Sequence, residues 1–294
     1  MPELPEVEVV RAGLEPAMVG AAIRAVSIFD PRSLKRHDGR RGDFVGMLTG
    51  VQVIGAERRG KFMWFPLSTG DALGTHLGMS GQVLLRTPDA PADRHLRIQF
   101  ELEKSGQPDV LVNFVDQRIF GSMAVDELVQ VGSRVVPGQV AHIAADPLEA
   151  SFDDELFITR LRKKQTGVKR ALLDQTLISG VGNIYADESL WASEIYFDKP
   201  GVKLSRTEAT TLLAEVRAVL VKALGEGGTS FDAQYLNVNG EACYFAHSLN
   251  AYGQQGKPCP RCGTAIKRVS FMNRGSHYCP TCQRETIKRA TKRS

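Results

Sequence analysis

The sequence lacks any apolar run near the ~20 residues needed to cross a bilayer, which excludes a helical membrane protein. No apolar segment follows Met1, so no secretory leader is expected and the default compartment is cytoplasmic. No self-similarity recurs at a solenoid period, which excludes a repeat architecture. Cysteine is scarce, and four of the five crowd into one short stretch. Acid is nearly missing from the end of the chain. From Lys257 to Ser294 there are ten Lys/Arg and one acid, Glu285, a net charge of +9, whereas the residues before them carry −5. A basic end on a slightly acidic body points to a polyanionic partner. Lys288 to Ser294 alone reads as a solvated tail. The other basic residues are interleaved with cysteines, Phe271 and Tyr278, which a bland tail does not need.

What remains is ordinary globular composition over 294 residues, 43% hydrophobic and 24% charged, enough for two domains with real cores. Leu4, Val7, Val10, Leu14 and Met18 fall at helical spacing. Pro5 suits the first turn of that helix, and Glu6 and Glu8 suit its positive end. Pro16 is expected to kink or end it near Glu15. After Gly20 the pattern turns to strands: Lys61 to Phe65, Gln82 to Leu85, His95 to Lys104 and Val110 to Phe114, with Ser105-Gly106-Gln107-Pro108 as a turn. Short strands with Gly-rich turns predict a β-sandwich or barrel with the opening helix packed on it. Residues 136–150 read as a linker. From Asp153 the period is helical, and Lys203 to Leu224 forms a further helix with Ser205 and Glu208 as a capping box, ending at Gly225.

Cys259-Pro-Arg-Cys262 and Cys279-Pro-Thr-Cys282, sixteen residues apart, have the spacing of a tetrahedral Zn²⁺ site with a hairpin between the pairs. Two disulfides are the alternative, disfavoured in a long chain without a leader. Cys243 is left as an ordinary thiol. The hairpin carries Lys267, Arg268 and Arg274, which suits an element that enters a nucleic-acid groove; a structural zinc ribbon with a solvated loop has the same spacing. Ser179-Gly180-Val181-Gly182-Asn183 sits between two helical patterns. It reads either as a tight helix–helix turn or as a phosphate site built on a helix N-terminus. The basic zinc module tips the balance to phosphate.

Three separated motifs together resemble the formamidopyrimidine-DNA glycosylase and endonuclease VIII family of DNA-repair enzymes. They are Pro2-Glu3-Leu4-Pro5-Glu6-Val7-Glu8, Val181-Gly182-Asn183-Ile184-Tyr185-Ala186 and the four-cysteine module. The opening is similar to the formamidopyrimidine branch; the other branch usually begins Pro-Glu-Gly-Pro-Glu. The resemblance covers essentially the whole chain. It implies an α+β protein of two domains. An N-terminal β-sandwich with a packed helix spans 1–135, and a helix-two-turn-helix domain with a lesion loop spans 151–250. A four-cysteine zinc finger holding one structural Zn²⁺ spans 251–287, followed by a basic tail over 288–294. DNA would lie in the cleft between the domains. The implied protein is a bacterial, nucleoid-associated monomer acting on double-stranded DNA with oxidised bases. The implied activity is excision of oxidised purines, 8-oxoguanine and formamidopyrimidines, then cleavage of the abasic strand.

The opening stretch then acquires a chemical reading. Removal of Met1 would leave Pro2 with a free secondary amine. An α-amino group titrates near ~8 against ~10.4 for lysine, so roughly a tenth is neutral at pH 7. Such an amine can attack the sugar C1′ and displace the base. Because proline is secondary, the product is an iminium that stays cationic and acts as an electron sink. The resemblance makes Glu3 the general acid/base, Glu6 a supporting residue, Lys61 the β-elimination lysine and Arg274 the δ-elimination arginine. It makes Asn183, His76, Tyr252, His95 and Lys164 DNA contacts, although Gln165 stands where many members carry a third basic residue. Met79, Arg118 and Phe120 would fill the gap left by an extruded base. Without the resemblance, Lys61 reads as a surface strand lysine, Met79 and Phe120 as core, and the acids as helix-end electrostatics, the reading kept for Glu8. The usual Asp-Pro-Arg-Arg-Phe-Gly is here Asp116-Gln117-Arg118-Ile119-Phe120-Gly121: the key Arg and Phe are kept, while the proline that bears on loop rigidity and the second arginine that bears on local phosphate contact are not. Gly227 to Phe245 matches a lid over the flipped base. The rivals are the same chemistry on oxidised pyrimidines and a non-catalytic zinc DNA-binding protein.

Overall fold

The opening helix, α1 (Leu4–Met18), forms where the apolar spacing requires it, and Leu4, Val7, Val10, Leu14 and Met18 are all buried. It does not stop at Pro16. Burying Leu14 and Met18 is worth about 3–6 kcal/mol, against the ~3 kcal/mol of an interior proline. The helix closes with the Val19 N–H donating to Glu15 O at 3.0 Å. The computed structural model describes residues 2–228, 238 and 249–285. The chain divides into two units, 1–143 with 223–246, and 144–222 with 247–294.

In the first unit the strands are β1 (Ala22–Ile28), β2 (Glu57–Arg59), β3 (Phe62–Pro66), β4 (Asp71–His76), β5 (Gly81–Arg86), β6 (Leu96–Glu103), β7 (Val110–Asp116), β8 (Ser122–Val131) and β9 (Arg134–Pro137). They make two antiparallel sheets, β1-β6-β7-β5 and β2-β3-β4-β8-β9. Alternate residues of both sheets, among them Met63, Phe65, Leu73, Phe100, Val112, Phe114, Met123 and Val125, form one core with Val7, Val10 and Leu14 of α1. A short helix, α2 (Phe44–Leu48), adds Phe44 and Leu48 to it, capped by Asp43 accepting the Gly46 N–H at 2.8 Å. On the opposite face of β3 and β4, Trp64 and Ala72 pack with Val136, Val140 and Ile143. The stretch expected as a linker from residue 136 is therefore built into the sandwich unit as far as Ile143. Burial on both faces hides β8 (Ser122–Val131) from its sequence pattern. Its first five residues are buried whichever way they point, so the alternation that marks a half-exposed strand is absent.

The second unit carries α3 (Asp154–Leu161), α4 (Val168–Leu172), α5 (Asn183–Ala192) and most of α6 (Arg206–Gly225), then the hairpin β10 (Lys267–Phe271) and β11 (Arg274–Tyr278). The capping box at α6 is present: Ser205 N–H donates to Glu208 at 2.8 Å, and Glu208 N–H donates to Ser205 Oγ at 3.0 Å. Lys203 belongs to a separate 3-10 turn, so α6 starts after Ser205 rather than at Lys203. Cys243, most of the expected lid and the basic tail from Lys288 lie outside the described residues.

Candidate functional site

At the chain start Pro2, Glu3 and Glu6 are all buried. A buried carboxylate is costly unless hydrogen-bonded. Glu6 accepts the Glu3 N–H at 2.8 Å, so it fixes the entry into α1. Glu8, two residues on, is not merely a helix-end charge. It accepts Arg11 at 2.7 Å and Arg58 of β2 at 2.9 Å. Burial alone would raise its pKa, but hydrogen bonds from Arg11 and Arg58 hold the carboxyl below its ordinary value. Arg58 also donates to Gly60 O at 3.2 Å. Gly60, at φ +56°, shares with Lys61 the tight turn between β2 and β3, so Lys61 lies just ahead of β3 and not in it as its strand pattern suggested. Lys61 is only 9% exposed, which rules out a simple surface lysine. The Glu8–Arg58 pair thus ties the helix that begins at Glu3 to the turn that bears Lys61. Gly228, at φ +86°, completes this end of the unit. A Cβ there would stand 3.3 Å from Glu6 Cγ, so the chain at Gly228 rests directly on Glu6.

His76 ends β4 beside Phe62, ring centroids 4.5 Å apart. Its Nδ1 accepts the Gly78 N–H at 3.2 Å, which leaves Nε2 to carry the proton. Burial pushes its pKa down to about 4, helped by the positive charges of Arg36, Lys61 and Lys35. A DNA contact made by His76 would therefore be a neutral N–H donor within a field set by Lys61 and its neighbours. Beyond His76, two turns meet back to back. Gly78, at φ +66°, allows the contact, because a Cβ there would lie 2.4 Å from the Gly121 nitrogen and the Phe120 carbonyl carbon. Asp116 binds both turns. It accepts Ser80 Oγ–H at 2.5 Å, the Gly121 N–H at 2.7 Å and the Arg118 N–H at 3.1 Å. The outcome is that Met79 (42% exposed) and Phe120 (52%) project outward together with Arg118, and neither apolar residue is core. His95, at φ +66°, accepts the Asp116 N–H on its carbonyl at 3.0 Å and borders a groove with Arg94, Ser80 and Gln117.

In the second unit the glycine turn ends at Gly182, and Asn183 opens α5. Asn183 donates to Gly275 O in β11 at 3.1 Å. The hairpin is anchored from below by a pair that sequence reading missed. Lys169 Nζ lies 2.6 Å from Asp187 Oδ1 with both side chains fully buried, and it also donates to Gly275 O at 3.2 Å. Asp187 further accepts Ser276 Oγ–H at 3.1 Å and His277 N–H at 2.8 Å. Next to it, Glu188 accepts the backbone N–H groups of Asn250, Ala251 and Tyr252 at 3.0, 2.8 and 2.8 Å. Burial raises its pKa, with the three N–H groups acting against that rise. Tyr252 in turn stacks edge-on to His277 at 4.9 Å. Asn183, Tyr252 and Arg274 are thus gathered around one hairpin, with Arg274 exposed just past the Met272-Asn273 turn. Lys164 is not gathered there: its ammonium is held by Asp174 at 2.9 Å. A lysine in the short Val168–Leu172 stretch gives no periodic signal that separates buried from exposed, so Lys169 was illegible. Asp187 and Glu188 stand directly after the recognised Val181–Ala186 motif, which was the available clue.

The four sulfurs of Cys259, Cys262, Cys279 and Cys282 lie within 4.8 Å of one another. All four are free thiols, and Cys262 and Cys279, at 3.4 Å, are far beyond the ~2.05 Å of a disulfide, so the structure does not take the disulfide alternative. A tetrahedron of ~2.3 Å Zn–S bonds needs sulfurs a little under 4 Å apart, which this cluster fits. The Trp191 indole N–H donates to Cys259 Sγ at 3.4 Å, as expected around a thiolate ligand set. These residues would hold one structural zinc.

A β-sandwich that begins with a buried Pro-Glu pair, and a helical unit that presents basic and amide groups around a four-cysteine hairpin, define a DNA-processing class of protein. Comparison with known proteins makes the class specific. The family model for the formamidopyrimidine-DNA glycosylase N-terminal domain matches residues 1–123, that for its H2TH domain matches 143–234, and that for the zinc finger found in FPG and IleRS matches 256–284. A formamidopyrimidine-DNA glycosylase of Leifsonia xyli is 57% identical over 97% of this chain and all of its own length. One from a Nocardioides species is 54% identical over 96% of this chain and 94% of its own. Among solved structures, a Lactococcus lactis FPG mutant in complex with Fapy-dG DNA superposes with a TM-score of 0.83 at 31% identity, covering 97% of this chain and all of that one. The same species' Fpg with abasic-site DNA gives 0.82 at 31% identity over 96% and 100%. This chain belongs to the formamidopyrimidine-DNA glycosylase family.

Proposed function

We propose that the chain is a DNA glycosylase and abasic-site lyase of base excision repair that removes formamidopyrimidines and 8-oxoguanine from duplex DNA. The observation that carries this reading is the buried Pro2-Glu3 start, braced by Glu6 and tied through Glu8 and Arg58 to the turn of Lys61. With Met1 removed, the Pro2 amine attacks C1′ of the damaged nucleotide and the bond from C1′ to the base breaks. Glu3 supplies the proton as the sugar ring opens, and the sugar is left joined to Pro2 as an iminium. Loss of a C2′ proton then expels the 3′ phosphate, and a second elimination expels the 5′ phosphate. Lys61 and Arg274 neutralise the phosphates beside the lesion during these steps. His76, Asn183 and Tyr252 contact the DNA phosphates, and Lys164 and His95 are further DNA contacts. Arg118 meets the orphaned cytosine, while Met79 and Phe120 occupy the space the extruded base vacates. The structural zinc would keep the Arg274 hairpin folded. The family place of the chain supports a cytoplasmic, nucleoid-associated enzyme acting as a monomer.

Borohydride trapping tests the proposal. The processed protein with 8-oxoguanine duplex should give a covalent adduct whose mass maps to Pro2, and Pro2→Gly or a retained Met1 should lose most of it. A processed N-terminus that forms no adduct would leave only a zinc DNA-binding protein. Paired assays on 8-oxoguanine and dihydrouracil duplexes decide the branch, with the purine expected to be preferred.

A further inference from the structure

We propose that Lys35 is a positioning residue for the loop that carries Arg118 and Phe120. The proposal rests on the reading that this loop fills the gap left by an extruded base. Lys35 donates from Nζ to Ile119 O at 2.9 Å and to Phe120 O at 3.1 Å, although 84 and 85 residues separate it from them. Asp116 holds the opposite side of the same loop through the N–H groups of Arg118 and Gly121. The loop is thus gripped by an anion on its N–H groups and by a cation on its carbonyls. The grip is needed because Ile119 sits at φ +57°, a left-handed conformation that a β-branched residue adopts only when its surroundings impose it. No proline stiffens the loop, since Gln117 stands where the usual pattern has one. The two carbonyls that Lys35 caps belong to the strained residue and to the wedge itself, so the ammonium fixes the direction in which Phe120 leaves the loop. A lysine serving DNA only as a surface charge would have no reason to spend two of its three donors on these carbonyls.

The test uses the processed full chain and four variants: Lys35→Met, Lys35→Arg, Phe120→Ala and the Lys35→Met/Phe120→Ala double. Lys35→Met should slow single-turnover excision from an 8-oxoguanine·cytosine duplex about tenfold, the size of one lost charge-assisted hydrogen bond. Lys35→Arg, which can serve both carbonyls, should restore most of the rate. Cleavage of a single-stranded abasic substrate and binding to undamaged duplex should change far less than excision. In the Phe120→Ala background, Lys35→Met should add almost nothing, because the residue it positions is gone. Full multiplicativity in the double variant would overturn the proposal. So would an equal loss on undamaged duplex, which would make Lys35 a plain phosphate contact. A normal rate for Lys35→Met beside a slow Phe120→Ala sinks the proposal alone. A normal rate for Phe120→Ala sinks the wedge reading and the proposal with it.

Discussion

Single side chains here are set by what surrounds them more than by their own chemistry. His76 is the clearest case. Its folded pKa of about 4 lies below the unfolded value of ~6.5, because burial and three nearby cations disfavour the imidazolium. Between those values the unfolded chain binds a proton that the folded chain does not. His76 therefore subtracts stability as pH falls through the window from ~6.5 to about 4, by on the order of 3 kcal/mol at most, and has no effect above it. An NMR titration should find its midpoint near pH 4 with the proton on Nε2; a midpoint near pH 6.5 would contradict the burial argument. Gly228 is set by its neighbour in the same way. Gly228→Ala adds a methyl against Glu6 and forces a non-glycine residue to φ +86°, so excision should fall at least several-fold while the melting temperature moves little. From the sequence, Glu8 reads as helix-end electrostatics because an acid near a helix start suits the dipole. Only the arrival of Arg58 from another element reveals it as a strut.

At the scale of elements, α5 organises the second unit. Asp187 and Glu188 are consecutive residues that send their carboxylates to different segments, one to the zinc hairpin and one to the turn at Asn250 to Tyr252. Removing one member of the buried Lys169–Asp187 pair takes from the other its counter-charge at 2.6 Å. Asp187→Asn should destabilise this unit by about 3–5 kcal/mol in urea unfolding, whereas a Lys169→Met/Asp187→Leu double should regain much of that loss. Equal losses in the single and double variants would show that the charges act separately. The zinc hairpin makes a parallel case. Ile266 packs with the cysteines and Trp191, and Phe271 and Tyr278 stack on Phe197 and Tyr196, but the turns that hold the cysteines have little apolar packing beyond Ile266 and Trp191, and the metal would supply stability there. Chelation should melt the hairpin and weaken DNA binding while the β-sandwich signals persist; unchanged binding after verified zinc loss would contradict this.

For the whole molecule, the expected readout is electrostatic. Cations gather in both units, around Lys35, Arg36 and Lys61 in one and around Lys267, Arg268 and Arg274 in the other. DNA affinity should therefore fall steeply with salt, with a slope that reports several neutralised phosphates, and a flat dependence would speak against a phosphate-gripping surface. No helix among the described residues is long and apolar enough to cross a membrane. The sequence by itself determined the chemistry-bearing residue types: the Pro-Glu start, the paired C-x-x-C, the glycine turn and the apolar spacing of α1 and four of the strands. These are local patterns, fixed by periods of two or 3.6 and by spacings of a few residues, so they survive in one dimension. Tertiary structure alone decided which charges pair and which apolar residues stay outside. Lys61 and Lys169 went inside while Met79 and Phe120 went out, and Lys35 met carbonyls 84 and 85 residues away. Those outcomes depend on where distant segments of backbone arrive, and no local period in a sequence encodes that.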